Sequence, residues 1–132
     1  MFLYYRAPRL AIDFEGKRLE QKALQISVMN GRRMGGAFFV CPRAEDDDGL
    51  LDLNIAGEPR RMEMLGLILM YMKGTQASSR HIKTGRTAAV EIRALEGNLV
   101  VHADGETIGL QADWLRAECL PRAVEMVSRG GP

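Results

Sequence analysis

Two acidic segments carry the side chains best suited to chemistry. Glu45-Asp46-Asp47-Asp48-Gly49 places four carboxylates in a row. They repel one another unless water or a cation screens them. Hard cations such as Mg²⁺ and Ca²⁺ take oxygen ligands of this kind, together with backbone carbonyls at a turn. A solvated surface turn explains the same run without a ligand. An EF-hand is excluded: with Gly49 at the sixth loop position, Ala44 and Ile55 fall where the first and last carboxylates are needed. The second segment, His102-Ala103-Asp104-Gly105-Glu106-Thr107, follows the apolar run Leu99-Val100-Val101. In extended chain Asp104 and Glu106 point the same way, with His102 in the same parity. Two carboxylates at a strand end can divide a task, one accepting a proton and the other orienting a metal or a water. An Asp-Gly hairpin turn is the competing reading, with His102 an ordinary surface residue.

Two further features carry weaker chemistry. Asn30-Gly31-Arg32-Arg33-Met34-Gly35-Gly36 is glycine-rich and doubly basic, so its backbone N–H groups could form an anion nest. It lacks the GxxxxGK[ST] spacing of a phosphate-binding loop. The segment Arg60–Lys73 holds Met62, Met64, Leu65, Leu67, Ile68, Leu69, Met70, Tyr71 and Met72. Methionine adapts to irregular apolar surfaces, acyl chains included, although core packing asks for the same residues. Cys41 and Cys119 stand alone, with no CxxC spacing, which argues against zinc or a disulfide framework and for a reducing, cytosolic setting.

The elements that must position these groups are mostly strands. Ala11–Phe14 and Leu19–Leu24 flank a turn at Glu15-Gly16-Lys17. Leu24–Asn30 alternates with period two, and Asn30-Gly31 is a turn dipeptide. Ala37–Cys41 is expected to be a buried strand stopped by Pro42, and Arg43–Gly49 a polar loop. Leu50–Ala56 alternates again, with Leu51, Leu53 and Ile55 on one face. A helix is expected over about 59–73, with Pro59 in its first position and Gly74 as its stop. Being apolar all round, it should be covered on every side or face a partner. Gly74–His81 is expected to be a polar connection. Short strands are expected at Thr87–Arg93, Leu99–Ala103, Thr107–Leu110, Asp113–Cys119 and Ala123–Val127, a short helix within residues 1–12, and a frayed tail at 128–132. Many short strands with one embedded helix point to a mostly β fold, a two-layer β-sandwich, rather than a βαβ sheet.

Composition narrows the function classes. The 132 residues suit one domain of about 100–200 residues. With 18 Lys+Arg against 17 Asp+Glu the formal charge is +1, which argues against bulk electrostatic binding of nucleic acid. Hydrophobic content of 46% and charged content of 27% match ordinary globular usage rather than disorder. The longest apolar stretch, Met64–Met72, falls far short of the roughly 20 residues that span a bilayer. The N-terminus has no basic region followed by a long apolar one, so no secretion signal is expected.

Taken in order, the pieces resemble a known family. Ile12-Asp13…Gly16, Val28-Met29-Asn30-Gly31…Gly35-Gly36, Pro42-Arg43-Ala44 and Asp47-Asp48-Gly49-Leu50-Leu51-Asp52 come first. The Pro59–Gly74 helix, Thr84-Gly85-Arg86 and His102-Ala103-Asp104-Gly105-Glu106 follow. Together, over about residues 2–127, they resemble the C-terminal domain of the diacylglycerol kinase-like lipid kinases, which are similar to sphingosine kinase and more distantly to NAD kinase.

The resemblance implies a two-domain enzyme with its active site in the cleft between an α/β domain and a β-sandwich. It implies that Asp104 accepts the proton of a lipid hydroxyl and that Glu106 belongs to the network around a catalytic Mg²⁺. It also implies that the Asp48 carboxylate and the Glu45 and Leu50 carbonyls hold a second, structural Mg²⁺. ATP would bind mainly through a Gly-Gly-Asp-Gly-Thr motif of the other domain, a motif these residues lack. The chain is therefore expected to begin inside the second domain and to be inactive alone. Expected partners are the lipid, the nucleotide-binding domain, a membrane surface touched peripherally, and a second copy in a homodimer. Two alternatives stand beside this reading: a non-enzymatic β-sandwich binding or assembly module, and an NAD kinase-like domain.

Overall fold

The computed structural model describes residues 7–125. Among these, the first half of the chain forms β1 (Arg9–Phe14), β2 (Lys17–Lys22), β3 (Gln25–Met29), β4 (Leu51–Ala56) and α1 (Arg61–Lys73). The second half forms a 3₁₀ turn at Gln76–Ser78, then β5 (Ile82–Thr87), β6 (Ala89–Ala94), β7 (Leu99–Ala103), β8 (Glu106–Ala112) and β9 (Trp114–Glu118). The strands make an antiparallel sheet of order β2-β1-β6-β9, a second of order β3-β4-β5, and a two-stranded ribbon β7-β8. This is the mostly β, sandwich-like architecture expected from the alternating runs.

Period-two burial explains the layering. Leu10 and Ile12 of β1, Val90 and Ile92 of β6, Leu53 and Ile55 of β4, and Leu99 of β7 meet in one core cluster. Each such side chain contributes about 1.5–3 kcal/mol when taken out of water. The helix expected within residues 1–12 is corrected over 9–12, which belong to β1. Alternate residues Leu10 and Ile12 must face one core, which a helix cannot arrange. Residues 1–6 lie outside the described residues. Glu15-Gly16 closes the β1–β2 hairpin with φ of 51° and 70°. Positive φ at both central positions suits the twist of the flanking strands.

β4 is buried on both faces. Leu53 and Ile55 face the sandwich core, while Asp52, Asn54 and Ala56 face a covering layer. That layer is α1 together with residues 38–44, and it explains the failure of the strand expected at Ala37–Cys41. Those residues form no ladder beyond one bridge, Met34 with Phe38. Side chains take their carbonyls instead: Gln76 Nε2 donates to Phe39 O (2.6 Å) and Val40 O (2.9 Å), and Asn54 Nδ2 to Val40 O (3.1 Å). The Tyr71 hydroxyl donates to Asn54 Oδ1 at 2.5 Å, tying the helix to the strand.

β5 was not anticipated from sequence. Ile82-Lys83-Thr84-Gly85-Arg86-Thr87 lacks apolar alternation and has a glycine inside. That glycine has a packing reason: a Cβ on Gly85 would lie 2.7 Å from Phe14 Cε2. The ring of Phe14, on one sheet, lies where a side chain on the other would stand. The run expected as Thr87–Arg93 is divided at Ala88 between β5 and β6. Residues 123–125 form no strand, so the expectation for Ala123–Val127 is not met there, while 126–127 lie outside the described residues, as does the tail at 128–132.

The helix begins two residues later than its proline suggests: Pro59 precedes the N-cap Arg60, Arg61 is the first helical residue, and Gly74 ends the helix at φ 75°. The Glu63 carboxylate accepts the Arg60 N–H (2.9 Å) and pairs with Arg80 and with His81 Nε2 (3.1 Å). Leu67 packs against Ala56 and Ile82, with Met70 and Tyr71 beside it. The opposite face stays uncovered among the described residues, with Met62 80%, Leu65 61% and Leu69 60% exposed. No described helix is long and apolar enough to cross a membrane.

Candidate functional site

The acidic loop leads straight into β4, and β4 and β5 together supply its neighbours. Asp52, paired with Arg86 across the two strands, is buried. Arg86 Nε donates to Asp52 Oδ1 at 2.9 Å, and the same guanidinium donates to the Arg43 carbonyl. The Asp52 hydrogen bond and charge hold the Arg86 proton more firmly than usual, against the opposing effect of burial, with the charges of Asp48 and Glu45 adding lesser support. Of the nearby acids, Asp52 is the one that pairs directly with Arg86. Arg86 is the residue whose role went unread in sequence, although it stands in Thr84-Gly85-Arg86; only the β4–β5 register shows it opposite Asp52.

The loop is shaped by its own hydrogen bonds. Asp48 Oδ1 accepts the Leu50 N–H at 2.9 Å. Arg32 Nε donates to Ala44 O (2.9 Å), and Asn30 Nδ2 to Asp46 O (3.4 Å). Among the described residues, no donor reaches the Glu45 or Leu50 carbonyl. Those two carbonyls and the remaining Asp48 oxygen are hard donors by type, the kind Mg²⁺ prefers. Asp52 Oδ2, at the start of β4, is buried without a hydrogen-bond partner. The donor chemistry therefore fits a small divalent cation. No group of three or more His, Cys, Asp or Glu side chains among the described residues is drawn together to hold a metal. A cation here would depend on carbonyls and water.

Asp104 and Glu106 lie on a different element. The β7–β8 ribbon turns through Asp104-Gly105, with φ of 49° and 83°, and Ala103 pairs with Glu106. The extended-chain reading is corrected: Asp104 sits in a two-residue turn and Glu106 opens the returning strand, so strand parity does not relate them. Aspartate is among the residues that tolerate positive φ, and glycine completes the turn without steric cost. Both carboxylates are exposed, and among the described residues neither forms a hydrogen bond or ion pair. His102 pairs with Thr107, its Nδ1 lying 3.0 Å from the hydroxyl. The structure gives the acid pair no hydrogen bond or ion pair to the Arg86 cluster.

The glycine-rich loop spends its arginines on its own surroundings. Arg33 donates to Gly36 O (3.2 Å) and stacks 4.1 Å above the Phe39 ring, while Arg32 is held by Ala44. Cys41 is buried and donates to Asp52 O at 3.7 Å. Burial, with the Asp52 charge adding to it, pushes its thiol up to about 12, which makes it an inert packing residue.

Comparison with known proteins places this geometry. The sequence profile of the YegS C-terminal NAD kinase beta sandwich-like domain matches residues 1–128. The chain is 38% identical over 104 residues to "Probable lipid kinase YegS-like" of Stenotrophomonas maltophilia (strain K279a), covering 78% of this chain and 33% of that protein. It is 34% identical over 107 residues to the protein of the same name in Pseudomonas aeruginosa (strain UCBPP-PA14), covering 81% and 34%. The chain thus spans about one third of the length of these relatives. A solved structure assigned as a diacylglycerol kinase of Bacillus anthracis str. Sterne superposes with a TM-score of 0.69 at 23% identity, covering 88% of this chain and 38% of that one. This likeness shows a shared fold. The match over nearly the whole chain makes this protein a member of the YegS C-terminal NAD kinase beta sandwich-like domain family.

Proposed function

We propose that this chain is the substrate-facing domain of an ATP-dependent lipid kinase and that Asp104 accepts the proton of the lipid hydroxyl. The observation that carries the reading is the placement of Asp104-Gly105-Glu106. It forms the exposed tip of a hairpin in a family whose relatives are named as lipid kinases. An exposed tip carboxylate with no partner of its own is available to a substrate in a cleft formed with a second, nucleotide-binding domain.

Phosphoryl transfer to an alcohol asks little covalent chemistry of a protein. It needs alignment, neutralisation of charge, and a group to take the proton as the oxygen attacks. Asp104 would supply that group, and Glu106, at the start of β8, would help to hold the metal. Mg²⁺ bound with ATP supplies charge neutralisation at the phosphate oxygens. Asp48 and the Glu45 and Leu50 carbonyls would hold a second cation with a structural task, pinning the loop ahead of β4. The acceptor is a lipid hydroxyl such as that of diacylglycerol. The NAD kinase in the family's description supports a second reading, in which a dinucleotide hydroxyl takes the phosphoryl group.

The test uses the full-length protein that joins this chain to a nucleotide-binding domain, with labelled ATP and a panel of diacylglycerol, a sphingoid base, phosphatidylglycerol and NAD. Lipid phosphorylation is expected, with Asp104→Asn slowing it about 10²–10⁴-fold while nucleotide affinity survives. The 132-residue chain alone is the control and should give no product. Near-normal turnover of Asp104→Asn removes that residue from the role, and NAD as the sole acceptor overturns the lipid reading.

A further inference from the structure

The solvent side of α1 inverts ordinary helix design. Residues 61, 62, 65, 66, 68, 69, 72 and 73 are all exposed, and they are Arg61, Met62, Leu65, Gly66, Ile68, Leu69, Met72 and Lys73. A surface helix normally turns polar residues outward. Here the outward face is five large apolar side chains between two cations, with no carboxylate among them. The helix's one acid, Glu63, faces Arg80 and His81 and is neutralised there.

We infer that this face of α1 is the surface by which the protein docks on an anionic phospholipid bilayer. The 13-residue helix is about 20 Å long. Lying flat, it would bring Met62, Leu65, Ile68, Leu69 and Met72 to the acyl boundary and Arg61 and Lys73 to headgroup level, where their stems can stay in apolar surroundings while their charges meet phosphate. Charge decides between occupants. A second copy packed antiparallel by two-fold symmetry would set Arg61 beside the other helix's Lys73, with no acid on either face to neutralise them. An anionic bilayer complements both ends at once. The inference rests on the lipid-kinase reading for why a bilayer is the relevant surface.

The test is flotation of the 132-residue chain with vesicles of phosphatidylcholine alone and of phosphatidylcholine mixed with phosphatidylglycerol. Binding to the mixed vesicles is expected, weakened by added salt. The double substitution Leu65→Glu, Leu69→Glu should reduce it at least about tenfold, and Arg61→Glu, Lys73→Glu should remove the preference for anionic lipid. Leu110→Glu, on the equally exposed ribbon, should leave it unchanged. Circular dichroism checks that the variants fold, and Leu65→Ser, Leu69→Ser replaces the first pair if they do not. Three results overturn the inference: no binding to either vesicle, binding indifferent to the α1 substitutions, or a wild-type dimer that those substitutions dissociate. Vesicle binding through α1 by a full-length protein that phosphorylates no lipid would sink the functional reading and leave the docking surface standing. Lipid phosphorylation with vesicle binding insensitive to α1 would do the reverse.

Discussion

Replacing Gly85 by alanine tests whether the two sheets meet as closely as the structure shows. Gly85 has no positive φ, so alanine costs nothing in the backbone. The new methyl would stand 2.7 Å from Phe14 Cε2, 3.3 Å from Cζ and 3.5 Å from Cδ2. Carbon atoms settle at about 3.5–4.0 Å, so the first contact is too short by about 1 Å. The backbone of Phe14 is held in β1 between β2 and β6, so relief has to come from a turn of the ring itself. Overpacking of this kind costs about 1–3 kcal/mol. Alanine restrains the unfolded chain and returns about 0.4–1 kcal/mol. A net loss of about 1–2 kcal/mol should appear in urea unfolding as a lower midpoint with an unchanged slope. Phe14→Leu, which removes the ring, should relieve the clash. The double variant should then be more stable than the two single losses summed, by about 1 kcal/mol or more. A Gly85→Ala protein as stable as wild type, or strictly additive losses, would refute the claim that Phe14 fills the space above Gly85.

Two other expectations follow from hydrogen bonds around α1. Tyr71→Phe leaves Asn54 Oδ1 without its donor in a residue only 2% exposed, and should cost about 1–3 kcal/mol in the same unfolding assay. The Glu63 carboxyl is held down to about 2, against an ordinary value of 4.5, by the Arg60 N–H first and then by Arg80, with burial opposing and His81 adding a lesser pull. A depressed folded-state value means that the stabilisation is present above about 4.5 and is lost as pH falls toward 2. Glu63→Gln should therefore melt below wild type at neutral pH, and the two melting curves should converge near pH 2.

The parts of this fold legible in the sequence are those where one physical rule acts alone. Alternation in Leu24–Asn30 and Leu50–Ala56, with a glycine in the turn at Glu15-Gly16, reports strands packed on one core. Where tertiary contacts override local pattern, the reading failed. Ala37–Cys41 is apolar enough for a strand, but Gln76 and Asn54, distant in sequence, take the carbonyls a ladder would use. Ile82–Thr87 is too polar to be read as a strand, and its glycine makes sense only once Phe14 is above it. The same division holds at the candidate site. The Asp-Gly turn was visible as a dipeptide, and so was the conflict between turn and extended chain at Asp104. The salt bridge from Asp52 to Arg86 spans 34 residues, and no local motif could announce it.

The ribbon β7–β8 carries its two acids as a lever carries a tool. Among the described residues its strands pair only with each other, and the register slips between Leu99 and His102. Five residues of strand are about 17 Å long, so a tilt of about five degrees at the anchored end sweeps the tip by roughly 1.5 Å. That is the scale on which misplaced catalytic groups lose rate. In the role proposed for Asp104, its aim would be set at the fulcrum, by Leu99 in the core and by the irregular pairing at Val101 and Gly109, as well as by the turn that bears it.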